Sequence, residues 1–81
     1  MRIQIKFIAN FRELLPPGSK NGIVELDLPH GTTVREAITR FDIPLDGSSV
    51  IVLNGLTVDL NTPLTEGDRI TAFSAIEGGS I

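Results

Sequence analysis

Only one stretch of this chain has a helical period long enough to cover a sheet. Val34, Ala37, Ile38 and Phe41 stand at i, i+3, i+4 and i+7, while Arg35, Glu36, Thr39 and Arg40 fall on the opposite side. Thr33-Val34-Arg35-Glu36 supplies a capping box in front of it, in which the Thr33 hydroxyl accepts from the Glu36 amide and the Glu36 carboxylate reaches back. A helix therefore starts at about Val34, and its apolar stripe needs a sheet to lie on. Most of what remains reads as short strands and turns, so the expectation is an α+β domain with one main helix.

The strands follow from period-2 alternation. Ile3, Ile5 and Phe7 alternate with Arg2, Gln4 and Lys6, which leaves Ile8 on the polar face. Asn10 reads as an N-cap for one or two helical turns carrying Phe11, Leu14 and Leu15, stopped by Pro16-Pro17-Gly18. After a polar loop from Ser19 to Gly22, Val24, Leu26 and Leu28 alternate with Ile23, Glu25 and Asp27. Beyond the helix and a loop with Pro44 and Gly47, Val50-Ile51-Val52-Leu53 is a β-branched run suited to a more buried strand. Asn54-Gly55 tolerates positive φ at both positions and turns the chain back through Leu56-Thr57-Val58 as a hairpin. Residues 59–68 form a loop anchored by Leu60 and Leu64, and Glu66-Gly67-Asp68 turns into the last strand.

In that last strand the faces compete. Ile70 and Ala72 share one side, and Thr71, Phe73 and Ala75 the other. Ile70 is the larger β-branched residue and follows a turn directly, so Ile70 and Ala72 are read as buried. Phe73 is then placed on the outer face, with Ile8 as a neighbour. Two apolar residues gathered on an otherwise polar face mark a docking surface.

Eighty-one residues make a single small domain, and the absence of cysteine excludes a disulfide framework, a thiolate metal site and an iron–sulfur cluster. A formal charge of −3, with the basic residues scattered, argues against a nucleic-acid partner. The N-terminal alternation lacks the apolar run of a signal peptide or membrane span, so a cytoplasmic protein with no membrane partner is expected. His30, the single histidine, sits between Pro29 and Gly31 in a turn with no second histidine to share a metal, and no metal site is expected. Without a nucleophile–base pair, the chain is not expected to be an enzyme.

The chain ends Phe73-Ser74-Ala75-Ile76-Glu77-Gly78-Gly79-Ser80-Ile81. Two adjacent glycines carry no Cβ and form a narrow segment that another protein's channel can admit. The division expected is a domain over residues 1–76 and a tail over 77–81. Strand, strand, helix, strand and final strand describe a mixed sheet of four to five strands wrapped on one helix, with the first and last strands side by side at its centre. That is a β-grasp, ubiquitin-like arrangement.

Five segments in this order carry a resemblance: Phe11-Arg12-Glu13-Leu14, Val52-Leu53-Asn54-Gly55, Asp59-Leu60-Asn61-Thr62-Pro63-Leu64, Gly67-Asp68-Arg69-Ile70, and Gly78-Gly79. Over nearly its whole length the chain resembles the ubiquitin-like sulfur-carrier family, MoaD/ThiS-like proteins that include the small subunit of molybdopterin synthase and the thiazole-synthesis sulfur carrier. The resemblance implies that the Gly79 carboxylate, behind Gly78, is adenylated by an E1-like enzyme and converted to a thiocarboxylate. Sulfur is then donated inside a partner synthase, of the molybdopterin synthase large-subunit or thiazole synthase type. ATP and magnesium belong to the activating partner, so this chain binds no cofactor and serves as a co-substrate. Phe73 and Ile8, with Ile76 and Glu77 leading into the tail, are the partner-binding residues on this reading.

Two departures qualify the resemblance. Ser80-Ile81 follows the glycine pair, so Gly79 becomes chargeable only after cleavage between Gly79 and Ser80, which in similar carriers is often the work of a zinc-dependent JAMM-type protease. Where molybdopterin-synthase subunits usually carry prolines after the aromatic, this chain has Ser74-Ala75. Molybdenum or tungsten cofactor, thiazole and sulfur-containing amino-acid synthesis all remain open as pathways. A ubiquitin-like modifier conjugated through Gly79 to lysines and a non-covalent β-grasp interaction module are the alternatives.

Overall fold

The first strand, β1 (Arg2–Phe7), is an interior strand of a five-stranded sheet whose order is β2-β1-β5-β3-β4. In this computed structural model, residues 1–74 are described apart from Gly18, Pro44 and Asp46, as are all their side chains except those of Ala9, Asn10 and Leu14. β2 (Ile23–Asp27) lies antiparallel to β1, with Val24 opposite Ile5 and Leu26 opposite Ile3. On β1's other side β5 (Arg69–Ser74) runs parallel, pairing Ile5 with Ile70 and Phe7 with Ala72. β3 (Ser49–Leu53) continues the sheet antiparallel to β5, and β4 (Leu56–Thr57) closes the edge through the Asn54-Gly55 hairpin. The chain's two distant strands thus meet at the sheet's centre, the mixed β-grasp topology expected from the order of elements.

One face of the sheet is dry. Ile3, Ile5 and Phe7 from β1, Ile70 and Ala72 from β5, and Ile51 and Leu53 from β3 are buried against Val34, Ala37 and Ile38 of the helix. Leu28, Ile43 and Leu64 seal the ends of this core.

The helix α1 covers only Val34–Ile38, shorter than the stripe through Phe41 suggested. Its start is as expected: Glu36 N donates to Thr33 Oγ1 at 3.2 Å and Thr33 N to Glu36 Oε1 at 2.9 Å. Val34 N and Arg35 N, which have no partner within a first helical turn, donate to the carbonyls of Thr62 and Leu60. The 59–64 loop therefore holds the helix N-terminus as well as burying Leu64. Past Ile38 the bonds tighten, Arg40 N to Ala37 O and Phe41 N to Ile38 O, a three-residue spacing that ends the helix. Phe41 still reaches the core, meeting Phe7 edge to face with ring centroids 5.1 Å apart.

Two local readings are corrected. The segment after β1 is a 3-10 helix over Ala9–Leu14 whose N-cap position is Ile8, so Asn10 lies inside it and does not cap it. The polar loop before β2 is itself a tight turn, Lys20-Asn21-Gly22-Ile23, with Lys20 bridged to Ile23 and φ of 56° and 76° at Asn21 and Gly22. Gly22 has a second constraint, since a Cβ there would come within 3.1 Å of the Phe7 carbonyl oxygen.

Candidate functional site

The sheet's other face carries the candidate site. Burial of Ile70 and Ala72, both at 0% exposure, turns Thr71 and Phe73 outward. Phe73 is half-buried and sits directly opposite Val50, and Thr71 opposite Val52. Ile8 directly follows β1 after the Phe7–Ala72 pair, its amide donates to the Ala72 carbonyl at 3.1 Å, and the residue is 37% exposed. Strand register thus brings Ile8, just past β1, to the same end of the outer face as Phe73 on β5 and Val50 on β3. This is also the end from which the chain leaves β5 at Ser74.

Around that apolar end the face is charged. Lys6 lies on β1 opposite Ile23 on one side and Thr71 on the other. Lys6, Ile8, Arg12 and Asn21 line a shallow cleft, with the Arg12 guanidinium against Gly22. Farther along, Arg69 Nη2 and Nε donate to Gln4 Oε1 at 2.8 and 3.0 Å, and Arg2 faces Glu25 at 3.7 Å. The apolar residues at the root of the tail therefore have a basic margin on their β1 side.

A polar network at the opposite end of β5 fixes where that strand begins. Asp68 is buried, and its carboxylate accepts from Asn54 Nδ2 at 3.0 Å, Thr65 N at 2.8 Å and Thr65 Oγ1 at 3.1 Å. Burial alone would raise the Asp68 pKa, but these hydrogen bonds outweigh it and hold the carboxyl below the ordinary 3.8. Asn54 Oδ1 in turn accepts from Arg69 N at 2.9 Å, and Asn54 N donates to Arg69 O at 2.8 Å. The Asn54-Gly55 turn is thereby tied to the first residues of β5. By residue type Asn54 and Asp68 read as turn-formers, within two of the segments that carry the family resemblance; their spacing of fourteen residues carries no local signal of the contact.

Of the residues assigned from sequence, Ile8 and Phe73 come together on the outer face. Ile76, Glu77, Gly78, Gly79 and Ser80 lie outside the described residues. Among the described residues no group of three His, Cys, Asp or Glu side chains could hold a metal ion, and no helix is long and apolar enough to cross a membrane.

Comparison with known proteins gives the family and the fold. The chain matches the profile of the ThiS family over residues 5–79. Among solved structures it is similar to a Pyrococcus furiosus protein described as molybdopterin converting factor, subunit 1, with 25% identity and a TM-score of 0.73, covering 90% of this chain and 95% of that one. It also shares its fold with SAMP1 from Haloferax volcanii, at 22% identity and a TM-score of 0.75, covering 98% of this chain and 100% of that one. A second structure of the H. volcanii small archaeal modifier protein 1 superposes with a TM-score of 0.68 at 22% identity, over 89% of this chain and 94% of that one. No curated protein sequence matches.

Proposed function

Since this chain belongs to the ThiS family, we propose that it is a sulfur carrier whose working end is the carboxylate of Gly79. The observation that carries the proposal is the family match running to Gly79, the second glycine of the tail, across a domain whose central strand β5 feeds that tail. With Ser80 attached, the Gly79 carbonyl is locked in a peptide bond. A processing protease of the JAMM type hydrolyses that bond, and an E1-like partner, holding ATP and magnesium, adenylates the freed carboxylate. AMP is the leaving group that sulfide displaces, the new C–S bond replacing the C–O bond to AMP and leaving a thiocarboxylate for the acceptor synthase. The chain acts as co-substrate, contributing an electrophile and a handle.

The handle is the outer face. Ile8 and Phe73 flank the exit of β5, so a partner that seats them also fixes the direction in which the tail enters its active site. Such docking replaces a bimolecular encounter with a held geometry, and glycine at positions 78 and 79 leaves the reacting carbonyl uncrowded. Ile76 and Glu77 extend the contact along the tail. The pathway served is molybdenum or tungsten cofactor, thiazole or related sulfur metabolism, in the cytoplasm.

The test compares a chain ending at Gly79 with the full chain, both incubated with the E1-like enzyme of the same genome and ATP. The shorter chain is expected to be adenylated and, with a sulfur donor, to gain about sixteen daltons as sulfur replaces oxygen. The full chain is expected to stay uncharged, and Gly79→Ala to impair the shorter form severely. Equal charging of the intact full chain would overturn the processing step. Charging of neither would leave a non-covalent β-grasp module as the function. A ladder of lysine conjugates in the source cell, in place of the thiocarboxylate, would assign the chain as a ubiquitin-like modifier, the reading that its fold similarity to SAMP1 favours.

A further inference from the structure

The chain contains two Asn-Gly pairs folded in the same way but held differently. Asn21-Gly22 has φ of 56° and 76°, and Asn54-Gly55 has φ of 52° and 86°, so both are tight turns with two left-handed residues. The Asn54 carboxamide is pinned at both ends, Nδ2 to the Asp68 carboxylate and Oδ1 to the Arg69 amide. The Asn21 carboxamide has no hydrogen-bond partner among the described residues, and Asn21 is exposed. We propose that Asn21 is a site of spontaneous deamidation in the folded protein, whereas Asn54, equivalent in sequence and backbone, is guarded by Asp68.

The chemistry needs only the chain and water. The Gly22 nitrogen, giving up its proton, attacks the Asn21 Cγ; a ring-closing N–Cγ bond forms, the Cγ–Nδ2 bond breaks, and the proton leaves with Nδ2 as ammonia. Water then opens the succinimide at either carbonyl, yielding aspartate or isoaspartate. Glycine in the following position makes its nitrogen unhindered, and the rate is set by how freely the asparagine side chain and the peptide that follows it can rotate towards each other. At Asn54 that rotation breaks two hydrogen bonds, one of them to an ionised carboxylate. Bonds of that kind hold the competent rotamer down by roughly ten- to a hundredfold. Closure also needs the Asn21–Gly22 peptide to turn, against the bond that Gly22 O accepts from Phe7 N at 2.8 Å, but the Asn21 side chain itself is in solvent and breaks no bond to swing.

The location makes the product consequential. Asn21 lines the cleft that also contains Lys6, Ile8 and Arg12, at the basic margin of the outer face. A carboxylate there adds one negative charge beside two cations, against a chain that is already −3. This consequence, though not the deamidation, rests on the docking reading given above. A partner that presents acidic groups to Lys6 and Arg12 would then meet a margin with half its positive charge offset, losing electrostatic steering more than contact energy.

The full-length wild type is incubated in mildly alkaline buffer, folded or in urea, and mapped by peptide mass for the gain of about one dalton at each asparagine. In urea both pairs should react at similar rates. In the folded protein both should slow, because each turn holds the peptide that must rotate, and Asn54 should fall about tenfold or more behind Asn21. Asp68→Ala should raise the Asn54 rate toward that of Asn21 without altering Asn21; Asp68→Asn, which keeps the shape, should give an intermediate rate. Folding that slows both pairs equally, or a folded Asp68→Asn with an unchanged Asn54 rate, would overturn the proposal, and the ratio within folded wild type needs no variant at all. For the consequence, Asn21→Asp should slow association with the E1-like enzyme severalfold at low salt, with the difference vanishing at high salt. Identical association at both salts would overturn the charge effect alone, and no binding by the wild type would overturn the docking reading while leaving the deamidation result intact.

Discussion

Phe73 and Ile70 are three residues apart on one strand, and truncating each to alanine separates docking from folding. Ile70 is at 0% exposure between β1 and β3, paired with Ile5 on one side and Leu53 on the other. Ile70→Ala removes side-chain atoms from a closed core and should cost about 2–5 kcal/mol, the transfer free energy plus a cavity that the central strand cannot relax to fill. Phe73 is half-buried on the other face, and its structural share consists of one aromatic–β-branched pair with Val50, about 0.2–1 kcal/mol, plus the partly buried ring area. Phe73→Ala should therefore cost only about 1–2 kcal/mol, below the 3–5 kcal/mol of a core phenylalanine. With a urea m-value of about 1 kcal/mol/M for a domain this small, the middles of these two ranges correspond to unfolding midpoints about 2 M apart, with Ile70→Ala the less stable variant. In calorimetric titration against the E1-like enzyme, Phe73→Ala should weaken binding by about 2 kcal/mol, roughly thirtyfold, as an aromatic at an interface centre does. A stability loss of 3 kcal/mol or more for Phe73→Ala would make it a core residue, and unchanged binding would remove it from the docking face.

The remaining expectations concern the scaffold. Ile38→Ala should cost about 2–5 kcal/mol, since Ile38 is fully buried where α1 meets the sheet, and a melting temperature equal to that of wild type would refute that placement. Asp68 has a folded pKa lowered below 3.8, so its contribution is complete above that pH and lost as pH falls through 3.8 toward the folded value. Asp68→Asn should thus cost about 1.5–3 kcal/mol at neutral pH, with the gap to wild type closing in acid; a gap independent of pH would refute the network's charge dependence. Gly22→Ala should destabilise more than Gly55→Ala, because both positions have positive φ but only Gly22 would press a Cβ to 3.1 Å from backbone, and equal urea midpoints would count against the packing described.

Local rules carried much of the fold. Alternation in β1, β2 and β5 named the residues that face the core, and the capping box at Thr33 and Glu36 is present with both of its bonds. The Asn54-Gly55 pair announced its hairpin, while the same pair at Asn21-Gly22 passed as a loop because only one of its flanks, Val24 onward, showed strand alternation. The helix stripe through Phe41 was right about burial and wrong about length: Phe41 meets Phe7 from a turn, not from a third helical turn. A side chain's period records which face it shares, not which backbone bonds carry it there.

For the candidate site the division is sharper. That Phe73 and Ile8 turn outward followed from the choice to bury Ile70 and Ala72, a decision any strand makes locally by the contrast between its two faces. That the two residues become neighbours depended on β1 and β5 pairing in parallel, across more than sixty residues, in the register Phe7 to Ala72. The tie between Asn54 and Asp68 is of the same kind. Burial pattern, caps and turn chemistry are properties of a few consecutive residues and can be read one segment at a time. Strand partners, the charge around a cleft and the freedom of a single carboxamide arise only after distant segments have closed on one another, when each group's surroundings are set by residues the local sequence does not contain.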